Sequence, residues 1–256
     1  MRPAKTLVPT FRYRLLFVGV NTVPGQPPLY AARRDAEAMA TRFVDWGYNH
    51  KGRHRLLVGP EATAPRALEE LKHTCSADPA ELLLIYWAGH LDTHGRKYVL
   101  ATVDGQGLAL SEVTAAMAAT PVKHRVLILD ACNAAAAHGP LATLGQHATD
   151  TQTTAVFAAG GTDGMSREDL RRGYFTGALL EQLPRYTRGL SPEIDLLQAL
   201  RRGADLMPVR RGEQPFVAVS GADHPIHLPQ VKARTLPFER RARIGRQPAR
   251  QIAASA

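Results

Sequence analysis

The chain has 256 residues, 45% of them apolar, enough for one large α/β domain with a filled core. No run approaches the ~18 consecutive apolar residues of a membrane helix, and the arginine-bearing N-terminal segment, with no small-residue cleavage site, reads as a first strand rather than a signal peptide. The net charge of +9 invites a nucleic-acid partner, but residues 231–256 hold seven basic side chains against the single Glu239, so the tail carries +6 and the body only +3.

From the N-terminus, "YRLLFVGVN" (13–21) predicts a buried strand, and residues 27–48 carry helical periodicity through Leu29, Ala32, Ala36, Met39, Ala40 and Phe43. A short strand at 54–59 leads to a helix at 63–74, with Thr63 as its N-cap and Pro65 in its first turn. The strongly apolar "ELLLIYWAGH" (81–90) predicts a strand, residues 96–105 a small hairpin arm, and 111–120 a helix capped by Ser111. Strands follow at 124–132 and 153–161, helices at 174–186 and 191–206, and a last strand at 214–221. Between them, 138–152 reads as a mobile linker, and 161–176 is long and polar for a strand-to-helix connection.

Strands apolar on both faces and separated by helices imply an α/β fold. The expected architecture is a three-layer α/β/α sandwich around a mainly parallel six-stranded sheet. Residues 1–230 form one domain and 231–256 a basic, flexible tail, either a solvated end or a docking arm for an acidic partner. With Cys75 and Cys132 alone there is no disulfide framework, which points to a cytoplasmic protein.

In such sheets chemistry collects beyond the carboxyl ends of the strands, and this selects His90 and Cys132. A lone histidine there is usually structural, and a lone buried cysteine usually a small hydrophobe. Together they invite another reading. If their strands are neighbours, the strand ends lie about 5 Å apart, so an imidazole can reach the thiol and raise its nucleophilic share. A metal site built from His90, His94 and Cys132 lacks any ligand spacing to support it. The glycine-rich "AAGGTDG" matches neither phosphate-binding fingerprint. Cys75 reads as structural; His94 and His138 are spare loop histidines.

The segments "LLLIYWAGH" and "RVLILDACNA" resemble the strands that deliver histidine and nucleophile in the caspase-type cysteine peptidases, specifically their bacterial and metacaspase-like branch. "YAARRDAEAMATRF", "YVLATVD" and "GYFTGALLEQL" resemble further family elements in the family's order, so the resemblance spans roughly residues 12–221. It implies a caspase-like fold and a cysteine endopeptidase with Cys132 as nucleophile and His90 as general base and acid. The implied oxyanion hole is built from the backbone amides of Cys132 and Leu91, where the family usually has glycine at the second place. The implied substrate pocket is lined by Asp130 and Asp35; Asp163 and Glu168, in the loop after the fifth strand, are candidates for a third substrate-binding acid.

Two carboxylates in one pocket favour a cation, and guanidinium over ammonium, so cleavage is expected after arginine, then lysine, in protein or peptide substrates. Asp35 has an alternative role in pairing with Arg33, Arg34 or Arg42 on an exposed face. Asp130 has one as a strand-end group bonding backbone amides. Arg167, Arg171 and Arg172 are candidate processing sites, which makes an upstream activating protease or sensor a candidate partner and the chain a candidate zymogen. The resemblance calls for no cofactor and no metal, leaving calcium activation open, and places the enzyme in a bacterial defence or stress pathway. A membrane or nucleic-acid partner is not expected. The alternative is a caspase-like scaffold that binds a partner protein through the same cleft without turnover.

Overall fold

The computed structural model describes residues 12–48, 53–76, 78–95, 97–131, 134–146, 148, 151–160, 172–184, 194–211, 214–221 and 225–228. Cys132, Asp163, Glu168, Arg167, Arg171 and the basic tail therefore lie outside the described residues.

Its centre is a six-stranded sheet formed by β1 (Tyr13–Gly19), β2 (His54–Val58), β3 (Ala80–Gly89), β7 (Val122–Ala131), β8 (Thr153–Ala158) and β10 (Phe216–Gly221). Their order across the sheet is β10-β8-β7-β3-β1-β2. All pairings are parallel except that of β10 with β8 at one edge, so the sheet is mainly parallel. The four inner strands are buried nearly throughout, which is why they read as continuous apolar runs.

Alternation along these strands splits the core in two. Leu15, Phe17, Leu84, Tyr86, Ala88, Val126 and Ile128 face the layer of α1 (Ala32–Asp45), α5 (Tyr174–Gln182) and α6 (Leu196–Arg211). Leu16, Val18, Ile85, Trp87, Leu127, Leu129 and Ala131 face α2 (Ala64–Thr74), α3 (Leu110–Ala119) and α4 (His138–Gln146). Gly19 lets α1 approach the end of β1: a Cβ there would stand 2.6 Å from the Ala32 carbonyl oxygen and 2.8 Å from the Ala36 Cβ.

Several local expectations need correction. The first helix begins at Ala32, because Pro27 and Pro28 precede it and the Asn21 side chain accepts from the Arg33 amide at 2.6 Å. Thr63 makes no side-chain cap; the Asp104 carboxylate takes the Ala64 amide at 3.2–3.3 Å instead. Ser111 lies inside α3, and the Glu112 carboxylate accepts from the Ala109 amide at 3.1 Å. The hairpin arm is a three-stranded sheet of β4 (Leu91–His94), β5 (Lys97–Ala101) and β6 (Gly107–Ala109). Residues 138–146, expected as part of a linker, form α4, which buries Leu141 and Leu144 against the sheet. A 3₁₀ turn, Ala134–Ala137, leads into it. The helix expected at 191–206 is preceded by β9 (Ile194–Asp195), which pairs antiparallel with β11 (His227–Leu228).

Candidate active site

Strands β3 and β7 are neighbours, and their register pairs Ala88 with Asp130 and Gly89 with Ala131. The next residue of each chain segment is His90 and Cys132.

His90 is half-buried, and its Nε2 lies 2.9 Å from the Pro27 carbonyl oxygen. A carbonyl can only accept, so Nε2 carries the proton and Nδ1 keeps its lone pair. That tautomer leaves Nδ1 as the basic atom. The loop that supplies Pro27 is anchored by Leu29 N–H to the Asn21 carbonyl, 2.8 Å, and by Gln26 Nε2 to Asp92 Oδ2, 2.6 Å. Pro27 acts through its backbone, and no side-chain pattern in the sequence announces it.

Leu91 opens β4 opposite Leu100, and its side chain is buried in the core. Strand geometry there asks for no positive φ, so leucine in place of glycine carries no backbone strain. His94 ends β4 and His138 starts α4, both exposed.

The two pocket candidates meet on the α1/α5 side of the sheet. Asp35 is 1% and Asp130 8% exposed. Asp35 Oδ2 accepts from the Gly173 amide at 2.8 Å; Asp130 Oδ2 accepts from the Thr176 amide at 3.2 Å and the Thr176 hydroxyl at 2.6 Å. Both acids thus cap the N-terminus of α5, where the helix dipole favours negative charge. Asp35 is buried and does not stand on an exposed face. Arg33 instead binds Glu37, and Arg42 donates to the carbonyls of Leu180 and Leu183. The backbone-amide role weighed for Asp130 does occur, on Oδ2.

Gly173 is what allows the meeting. A Cβ on it would stand 2.8 Å from Asp35 Oδ2 and 2.9 Å from Asp130 Oδ2. The adjacent Arg172, 45% exposed at its side chain, brings Nε to 3.7 Å from Asp35 Oδ1. Tyr86, fully buried beneath, places its hydroxyl 2.6 Å from the Thr176 hydroxyl. Gly173 and Thr176 fall within the quoted "GYFTGALLEQL" segment, but nothing in their residue types reveals their part in the acid pair.

Cys75 is the other cysteine, and burial pushes its thiol up to about 11, so it is a poor nucleophile at neutral pH. Among the described residues, no three or more of His, Cys, Asp and Glu form a metal-binding group, and no helix is long and apolar enough to cross a membrane.

A family model described as the caspase domain matches residues 12–233. Among solved structures, the chain is similar to a protein from Geobacter sulfurreducens, with a TM-score of 0.59 and 16% identity over 84% of this chain and 95% of that one. It is also similar to the Drosophila initiator caspase Dronc, with a TM-score of 0.54 and 13% identity over 84% of this chain and 81% of that one. No curated protein sequence matches the chain. At these identities the structural likeness speaks to the fold.

Proposed function

The chain belongs to the caspase-domain family of cysteine peptidases, and on that footing we propose that it is an endopeptidase that cleaves after arginine, and less readily after lysine, with a His90/Cys132 dyad. His90 Nδ1 takes the thiol proton as the Cys132 sulfur attacks the carbonyl carbon before the scissile bond. The amides of Cys132 and Leu91 stabilise the developing oxyanion. His90 then protonates the leaving amine, and water, deprotonated by the same nitrogen, hydrolyses the thioester. The Pro27 carbonyl supports the charged imidazolium at each proton transfer by accepting from Nε2.

The observation that carries the specificity is the convergence of two buried carboxylates with a chain arginine already drawn to one of them. The α5 terminus supplies only roughly half a positive charge, which two carboxylates exceed; the remainder calls for a cation. Arg172 answers that call in the free chain, and it is exposed enough for a substrate guanidinium to take its place. Asp163 is proposed as a further acid of this pocket. Arg167, Arg171 and Arg172 are proposed as processing sites of a zymogen, cut by the enzyme itself or by an upstream protease or sensor. A role as an effector in a bacterial defence or stress pathway follows from family resemblance.

Paired peptides carrying arginine or aspartate before a reporter amide test this reading. Faster release from the arginine peptide supports it, and faster release from the aspartate peptide removes it.

A further inference from the structure

The acid pair has a supporting chain of hydroxyls that the reaction itself does not use. Tyr86 stands in β3, four positions before His90, and Thr176 in the first turn of α5; both are 0% exposed. Thr176 Oγ1 is 2.6 Å from Asp130 Oδ2 and 2.6 Å from the Tyr86 hydroxyl oxygen. Proton counting fixes the direction. A carboxylate accepts, so the one Thr176 hydroxyl proton goes to Asp130, and Tyr86 must donate to Thr176. Burial, with the Asp130 and Asp35 carboxylates adding to it, holds the Tyr86 phenol well above its ordinary range, so its proton is present.

We propose that Thr176, backed by Tyr86, is a positioning residue that sets arginine above lysine by fixing the plane of the Asp130 carboxylate. The inference rests on the pocket reading given above.

The amide and the hydroxyl of Thr176 both bind Oδ2, so α5 fixes one oxygen from two directions. Fixing Oδ2 fixes where Oδ1 points. A guanidinium fork needs a carboxylate oxygen in its own plane, whereas an ammonium is a point charge that accepts from many directions. Loosening Asp130 therefore weakens arginine binding more than lysine binding. The buried geometry suits this role: a hydroxyl donating to a charged acceptor away from water is stronger than one in solvent. The chain also joins three elements, because β3, α5 and β7 each contribute one of its members.

The test measures binding, so that it does not depend on turnover. Full-length Cys132→Ala protein is titrated calorimetrically with peptide amides ending in arginine or lysine. The same is done with Thr176→Val, Thr176→Ser, Tyr86→Phe and Asp130→Asn added singly, each variant checked by thermal melting. Thr176→Val is expected to weaken the arginine peptide roughly tenfold and the lysine peptide about threefold or less. Thr176→Ser should stay within about twofold of the parent, since it keeps the hydroxyl, and Tyr86→Phe should reproduce the valine effect in weaker form. Should the valine variant fail to melt cooperatively, Tyr86→Phe carries the test.

Equal losses for both peptides, no loss with valine or phenylalanine, or no rescue by serine would overturn this inference while Asp130→Asn still weakened arginine binding. If Asp130→Asn binds the arginine peptide as the parent does, or the parent binds none, the pocket reading falls and this inference falls with it.

Discussion

The carboxylates of Asp35 and Asp130 converge on a single point of the backbone, an oxygen of each standing within 3 Å of where a Cβ on Gly173 would lie. One acid comes from the first turn of α1 and the other from the end of β7, and both are buried. Bringing two like charges together is unfavourable unless donors and a cation offset it. Here the offset comes from the first turn of α5 and from Arg172. A site that meets its own charge with a displaceable arginine is suited to reading one in a substrate.

Neutralising either acid should therefore cost arginine recognition. Asp35→Asn and Asp130→Asn are each expected to lower kcat/KM for arginine peptides by about 2–5 kcal/mol of transition-state binding, roughly 30-fold to several thousand-fold. Steady-state kinetics on matched peptides checks this. Unchanged kcat/KM in both variants would reduce the pair to a structural cap on α5.

Gly173→Ala should be damaging where Gly139→Ala is not. A Cβ at 173 meets both carboxylates at 2.8 and 2.9 Å, while at 139 nothing lies within 4 Å. The first substitution is expected to cost on the order of 1–3 kcal/mol of stability and most arginine-peptide activity. The second, in α4, should raise stability by roughly 0.5–1 kcal/mol. Denaturant melts of the two variants make the comparison.

The six strands of the central sheet and their order of appearance were legible in the residues, the inner four because buried parallel strands must be apolar on both faces and so stand out as runs; the short β9 and β11 were not. The positions of His90, Asp130 and Cys132 at or just after strand ends follow from the same runs. Less visible were features made by backbone or by distant partners. Pro27 contributes only a carbonyl, and Asp104 caps α2 across a long gap in sequence. Residues 138–146 looked like a linker because Gly139, Pro140 and Gly145 weaken the helical pattern; burial of Leu141 and Leu144 decides otherwise. The pairing of Asp35 with Asp130 was suggested by resemblance, whereas the Gly173 gap between them needed coordinates.

Arg172 offers a competition experiment. Its contact with Asp35 is long and exposed on the arginine side only, so a substrate guanidinium can compete with it, while its loss leaves a buried carboxylate without this cation. Arg172→Ala should lower the melting temperature, because the buried acids lose their cation, and lower KM for arginine peptides about two- to fivefold. A raised KM would make Arg172 part of the recognition surface. Intact masses of purified wild type and Cys132→Ala address processing in the same preparations: self-cleavage predicts fragments ending at Arg167, Arg171 or Arg172 in wild type alone. Unbroken chains with full activity would remove it.

The two cysteines should differ in chemistry. With its thiol pushed up to about 11, Cys75 is thiolate only to the order of one part in a thousand at pH 8. Brief iodoacetamide treatment of the folded protein should add one group, at Cys132, and a second only after unfolding. Peptide mapping by mass spectrometry reads the positions. Labelling of Cys75 first would contradict the assignment of Cys132 as the reactive thiol.

The central claim, a cysteine endopeptidase that reads arginine through an acid pair, is tested most directly by peptide-library cleavage with wild type beside Cys132→Ala. Wild type should cut with arginine dominant before the scissile bond and lysine second, and Cys132→Ala should cut nothing. Preference for aspartate at that position, or the same cleavages surviving in Cys132→Ala, would contradict it.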